Sequence, residues 1–214
     1  MKLAVATRNP GKLREIESIF RDTPIRLVSL AELGVEAKPE EEKLEGYPSF
    51  ARNALAKAQY FHDRTGLAMM AEDSGIRVDA LGGEPGPRSK RYAPPEMQAG
   101  YGVDRANNLH LLRQLRDVPD DQRTAHFYCA VAVVLEDESR VFGGRVDGVI
   151  LQEPQGEGGF GYDPLFYLPD RGCTSAELTV EEKNQISHRG RAMRAARDWL
   201  LEVLNRETRA VRDE

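Results

Sequence analysis

The sequence predicts an α/β protein built on a mixed β-sheet flanked by helices. Two observations carry this. Strand-like apolar runs alternate with helical patterns along the chain, and the second half holds a long hairpin, so parallel and antiparallel pairing must coexist. At 214 residues the chain suits one domain of good size or two closely packed lobes, able to bury a large core.

The elements follow in order. Leu3-Ala4-Val5-Ala6 is an apolar run that breaks into Thr7-Arg8-Asn9-Pro10-Gly11-Lys12. Leu13, Ile16, Ile19 and Phe20 then recur at helical spacing, which predicts a strand turning into an amphipathic helix over residues 10–20. Asn9 suits its N-cap and Pro10 its first position. Pro24 ends that helix, a short strand is expected at Ile25–Leu30, and the acidic stretch Lys38–Tyr47 reads as an exposed loop. Ser49 caps a helix through His62, with Phe50, Ala54, Leu55, Ala58 and Phe61 on one face. Strand signals at Leu67–Ala71 stop at Glu72-Asp73-Ser74-Gly75 and resume at Ile76-Arg77-Val78, as expected of a polar corner between two strands. Glycines and prolines from Gly82 to Pro87 open a long loop through Met97, and a helix follows over Asp104–Arg116. Ala125–Leu135 and Arg140–Leu151, joined by Asp137-Glu138-Ser139, predict the central hairpin. A glycine-dense loop, Gly156–Pro164, precedes a closing helix from about Arg189 to Asn205, whose Met193, Ala196, Leu200, Val203 and Leu204 share a face, and the last residues read as frayed.

Composition narrows the function. With 40% hydrophobic and 30% charged residues, the chain reads as an ordinary soluble globular protein. A net charge of −5 offers no basic face to a nucleic-acid polymer, so any anion it binds is small. Cys129 and Cys173 lack metal-ligand spacing and are too few for a disulfide scaffold, which favours a reducing cytoplasm. Met1-Lys2-Leu3-Ala4 lacks the apolar core of a signal peptide, and no apolar stretch is long enough to cross a membrane.

Four segments carry chemistry. A strand that turns sharply into a helix N-terminus presents unpaired N–H groups and a positive dipole end, and here Thr7, Arg8, Asn9 and Lys12 add side-chain donors suited to phosphate. The P-loop motif is excluded, because Ala6 stands at its first glycine and Leu13 at its magnesium-binding Ser or Thr. Taken alone, the segment reads equally well as a capped strand–helix junction. Glu72-Asp73-Ser74-Gly75 places two carboxylates where an apolar strand ends, enough for magnesium completed by water and phosphate, or simply a solvated turn. Glu40, Glu41, Glu42 or Glu45 could add a third carboxylate. Gly156–Asp163 packs four glycines with Phe160 and Tyr162, a loop that could approach a ligand closely and stack a ring on a base, or a hairpin loop with buried aromatics. Lys183 to Arg189 precedes the last helix, where Lys183, His188 and Arg189 suit phosphate or a base carbonyl, or merely flank the helix. Together these describe a nucleoside triphosphate site.

The pattern resembles the inosine triphosphate pyrophosphatase family. The likeness rests on Thr7-Arg8-Asn9-Pro10-Gly11-Lys12, Phe50-Ala51-Arg52-Asn53-Ala54 with Lys57, Glu72-Asp73-Ser74-Gly75, Gly159-Phe160-Gly161-Tyr162-Asp163-Pro164, and Glu182-Lys183-Asn184 with Ser187-His188-Arg189, in the family's order from residue 3 to about residue 200. It implies one domain of two lobes around a long mixed sheet with a central active-site cleft, a homodimer, and magnesium-dependent hydrolysis of non-standard purine nucleoside triphosphates (ITP, dITP, XTP) to the monophosphate and pyrophosphate. Carried over by position, Thr7, Arg8, Asn9, Pro10, Gly11 and Lys12 would cradle the triphosphate. Asp73 would ligate magnesium and accept the proton of the attacking water, with Ser74 touching substrate. Phe160, Gly161, Tyr162 and Asp163 would hold base and sugar, with Phe160 stacking, while Lys183, His188 and Arg189 complete the pocket. Glu45 would be the second metal ligand. The usual Glu-Thr-Gly-like string is here Glu45-Gly46-Tyr47-Pro48, with Glu42 a competitor, and Arg52, Pro87 and Lys90 also depart from the pattern. Two rivals fit less well. A Maf-like hydrolase would open with a Ser-Pro-Arg-Arg-like loop, and a non-catalytic nucleotide binder would be expected to lack Glu72 and Asp73.

Overall fold

A computed structural model describes residues 1–210. Its elements are β1 (Lys2–Val5), α1 (Pro10–Phe20), β2 (Arg26–Ser29), α2 (Phe50–Thr65), β3 (Met69–Val78), α3 (Pro95–Tyr101), α4 (Val103–Gln114), β4 (Thr124–Val134), β5 (Ser139–Ile150), β6 (Phe166–Leu168), β7 (Cys173–Thr174), α5 (Val180–Ile186) and α6 (His188–Ala210). Seven strands form one sheet in the order β2-β1-β3-β4-β5-β6-β7. β1 pairs in parallel with β2 and β3, whereas β6 is antiparallel to β5 and β7, so the sheet is mixed as expected.

By its contacts the chain divides into two units. The first comprises Met1–Asp73, Cys129–Gly144 and the chain from Arg189 on; the second comprises Ser74–Tyr128 and Arg145–His188. In the first unit, Leu3, Val5, Met70, Cys129, Val131 and Val133 of the strands pack with Ile16 and Phe20 of α1 and with Met193, Ala196, Trp199 and Leu200 of α6. α1 begins as the sequence predicts: Asn9 accepts hydrogen bonds from the N–H groups of Gly11 and Lys12, and Pro10 opens the helix. α2 is capped by Ser49 and ends at Gly66, whose φ of 64° closes the last turn. In the second unit, Ile76, Val78, Leu111, Leu115, Phe127, Ile150, Leu165 and Phe166 form a separate core. β4 is buried on both faces from Cys129 onward but alternates before it, the signature of a one-sided strand.

Several expectations need correction. Glu72 to Gly75 is no corner: β3 runs unbroken through it, with Glu72 and Asp73 both buried. The acidic stretch is ordered as a 3₁₀ turn, Pro39–Glu45, and the long loop after Gly82 contains a 3₁₀ turn, Gly86–Arg91, and α3. Lys183 precedes the last helix as expected, but it lies inside a short helix of its own, α5, which Thr179 and Glu182 start with reciprocal capping bonds. α6 extends to Ala210, beyond the predicted Asn205, and the expected fraying falls partly on residues 211–214, outside the described residues.

Candidate active site

In the first unit the site is organised by the alternation of β3. Successive strand residues point to opposite faces, so Glu72 and Asp73 enter different surroundings. Glu72 forms an ion pair with Lys12 of α1 and lies 3.5 Å from Arg189 Nε of α6, while the Cys129 thiol donates to its Oε2 at 3.4 Å. Burial alone would raise the Glu72 carboxyl, yet Lys12 and Arg189 outweigh it and hold the group far below the usual range. Arg189 also pairs with Glu15 at 2.6 Å. Its guanidinium is therefore enclosed between two carboxylates, which keep it charged against the pull of burial.

Asp73 meets α2 instead. Asn53 Nδ2 donates to Asp73 Oδ2 at 2.8 Å and to the Tyr47 carbonyl at 3.2 Å, and Asn53 Oδ1 accepts the Tyr47 N–H at 2.9 Å. Lys57, one turn further along, forms an ion pair with Glu45 and donates to the Glu72 carbonyl at 3.2 Å. Burial raises the Asp73 carboxyl to about 6; the Asn53 bond and Lys57 oppose the rise, and the neighbouring charges of Glu72 and Glu45 add to it. Two further predicted phosphate ligands are already engaged. Arg8 forks onto Glu41 with bonds of 3.0 and 2.9 Å and donates to the Val35 carbonyl at 3.0 Å. Thr7 Oγ1 accepts the Asn9 N–H at 3.2 Å.

In the second unit a cavity is lined by Phe127, Val146, Asp163, Lys183, Ser187 and His188, among others. Asp163 Oδ2 accepts from Lys183 Nζ at 2.6 Å and from the Phe160 N–H at 2.8 Å, and Lys183 Nζ stands 4.6 Å from the Phe160 ring centre. Gly159 makes this approach possible, since a Cβ there would lie 2.2 Å from Asp163 Oδ2. The His188 ring stacks on Phe127 at 4.8 Å. Of the two candidate aromatics, Phe160 is exposed, with Lys183 over its ring, whereas Tyr162 is buried with its hydroxyl donating to the Ser89 carbonyl at 2.7 Å.

The model of the Ham1 family matches residues 3–199. The chain belongs to the Ham1 family. It is 44% identical over 202 residues to a protein of Photorhabdus laumondii named dITP/XTP pyrophosphatase, covering 93% of this chain and 98% of that one. A protein of the same name from Geobacter sulfurreducens is 46% identical over 200 residues, covering 93% and 96%. The solved structure of a HAM1 protein from Coxiella burnetii superposes with a TM-score of 0.83 at 34% identity, over 94% of this chain and 99% of that one. The resemblance drawn from the motifs is thereby borne out.

Within this Ham1-family chain, the structure groups Lys12 and Arg189 around Glu72, and Glu45 with Lys57 near Asp73. It separately groups Asp163, Lys183 and His188 around the cavity, with Phe160 against Lys183. Ser74 is half-buried in β3. Arg189, predicted as a base or phosphate donor, is buried with its guanidinium facing Glu15 and Glu72. Among the described residues no three His, Cys, Asp or Glu side chains group as a metal cage. Magnesium asks for less: one or two carboxylates, with water and phosphate oxygens completing its shell. Asp73 with Glu45 meets that demand, and the mutual repulsion that helps raise the Asp73 carboxyl is what a cation would relieve. Glu42 is exposed, whereas Glu45 is held by Lys57. Sequence reading assigned no role to Asn53, Lys57 or Glu15. Asn53 and Lys57 were signalled by being polar residues four apart on the face shared by Phe50, Ala54 and Phe61; Glu15 carried no such signal.

Proposed function

We propose that this chain hydrolyses ITP, dITP and XTP to the nucleoside monophosphate and pyrophosphate, removing non-standard purines from the nucleotide pool. One observation carries the reading: relatives named dITP/XTP pyrophosphatase match it over 93% of its length. The Asp73 environment supports it. A carboxylate whose proton leaves near pH 6 is largely ionised at neutral pH, yet is more basic than an ordinary Asp, as an acceptor of the water proton should be. Asn53 fixes its orientation.

Water attacks the α-phosphorus, Asp73 takes its proton, and pyrophosphate departs. Thr7 to Lys12 and Ser74 bind the triphosphate; Arg8 exchanges Glu41 for phosphate oxygens, and Lys12, anchored by Glu72, offsets their charge. Asp73 and Glu45 would hold magnesium, which when bound neutralises phosphate charge and acidifies the attacking water. Phe160 stacks on the base, supported by Gly161, Tyr162 and Asp163. Lys183 and His188 direct donors at the 6-oxygen of hypoxanthine or xanthine. Adenine presents an amino group there, leaving those donors unpaired, and is rejected. The resemblance further implies a homodimer. No helix among the described residues is long and apolar enough to cross a membrane, and both cysteines are free thiols, which supports a cytoplasmic location. Pyrophosphate release with ITP, XTP, GTP and ATP under magnesium tests the reading. Fast release from ITP and XTP with little from ATP is expected; equal rates for ATP and ITP would refute it.

A further inference from the structure

The loop that carries Phe160 contains little regular structure before the turn at Asp163, and Gly156, Gly159 and Gly161 all stand at positive φ (81°, 73° and 64°). Such a chain segment is costly to order, because glycine loses more backbone freedom than any other residue. Helix α4 grips it at one residue. The Gly161 N–H donates to Asp104 Oδ2 at 2.8 Å, and Asn108 Nδ2 donates to the Gly161 carbonyl at 3.0 Å. Asp104 and Asn108 are four residues apart, so they share one face of the helix. The pair is polarised: an acceptor meets the N–H and a donor meets the carbonyl. Asn108 Oδ1 is buried without a hydrogen-bond partner among the described residues. The amide therefore acts through its donor, and turning it over would set two oxygens against each other. On either side, the Phe160 N–H is tied to Asp163 and the Tyr162 hydroxyl to the Ser89 carbonyl. Gly161 is the flexible residue between these anchors, and α4 holds both of its backbone polar groups.

We propose that Asp104 and Asn108 are positioning residues for nucleobase recognition, setting the Phe160 ring in place before the base arrives. The inference rests on Phe160 being the base-stacking ring. Neither residue touches substrate, so their loss weakens base binding and leaves the chemical step intact. D104A and N108A should each raise KM for ITP about tenfold, the size of one lost charge-assisted or buried hydrogen bond, with kcat within about twofold. N108D, which faces a carboxylate to the carbonyl, should do worse than N108A. D104N keeps an acceptor oxygen and should restore KM to near wild type. Inorganic tripolyphosphate has no base and should inhibit every variant with an unchanged inhibition constant.

Amide hydrogen exchange at Gly161, measured without ligand, reads the clamp independently of turnover. It should speed up in D104A and stay slow in D104N, even if ITP proves not to be a substrate, in which case only the functional reading fails. Unchanged exchange at Gly161 in D104A would overturn the clamp. So would a tripolyphosphate constant that rises in step with the KM for ITP, since that marks general damage. Should N108D fail to fold, D104A against D104N still decides.

Discussion

Replacing Asp73 with Asn should abolish turnover almost completely while making the metal-free protein more stable. The folded protein binds the Asp73 proton more tightly than the unfolded chain does, because its carboxyl is raised from 3.8 to about 6, chiefly by burial. This group therefore favours folding fully below about pH 4, and that contribution is lost as pH rises through about 6. At pH 8 the ionised form weighs against the fold by roughly 3 kcal/mol, net of the attraction to Lys57. Asn is nearly the same shape, keeps an oxygen for the 2.8 Å bond from Asn53, and carries no charge to bury. For a chain of this size that gain corresponds to a rise in Tm of roughly 5–10 °C at pH 8. Thermal unfolding of wild type and D73N in a chelator, at pH 4 and pH 8, measures it, and equilibrium binding of ITP checks that the variant still holds nucleotide. The difference should be present at pH 8 and vanish at pH 4. A D73N protein less stable than wild type at pH 8, or equally stabilised at both pH values, would refute the assignment of a strained buried carboxylate.

Two more outcomes follow from the same geometry. E45Q should raise the magnesium concentration needed for half-maximal turnover about tenfold or more, whereas E42Q, at an exposed position, should leave it within about twofold; a magnesium titration of both variants separates them. R189M removes a guanidinium that faces both Glu15 and Glu72, leaving these buried carboxylates short of a partner, and should cost about 3–5 kcal/mol in urea unfolding. A loss below about 1 kcal/mol would show that the pair is solvated.

What was legible in the sequence depended on the range of the interaction that fixes each feature. Asn9 and Pro10 are local signals, and α1 starts where they say. The mixed sheet followed from strand alternation and a hairpin, both read within short windows. β3 was misread because Glu-Asp-Ser-Gly has the composition of a turn, whereas the strand is kept intact by partners far away: Lys12, Arg189 and Asn53 supply what two buried carboxylates need. The pairing of Arg189 was illegible for the same reason, its partner Glu15 lying 174 residues earlier in the chain. Lys183 is a different case, since Thr179 and Glu182 carry a readable capping pattern that places it inside its own helix. Nothing local to Phe160 and Tyr162 could tell which ring is buried; the Ser89 carbonyl 73 residues away decides it.

The central claim is that this chain breaks the bond between the α- and β-phosphates of a non-standard purine triphosphate by attack of water on the α-phosphorus. Hydrolysis of ITP with magnesium in ¹⁸O-labelled water, followed by mass analysis of the products, tests it most directly. The account predicts inosine monophosphate carrying one labelled oxygen, unlabelled pyrophosphate, and little product when ATP replaces ITP. Label in the pyrophosphate, release of inosine diphosphate with orthophosphate, or equal turnover of ATP would contradict it.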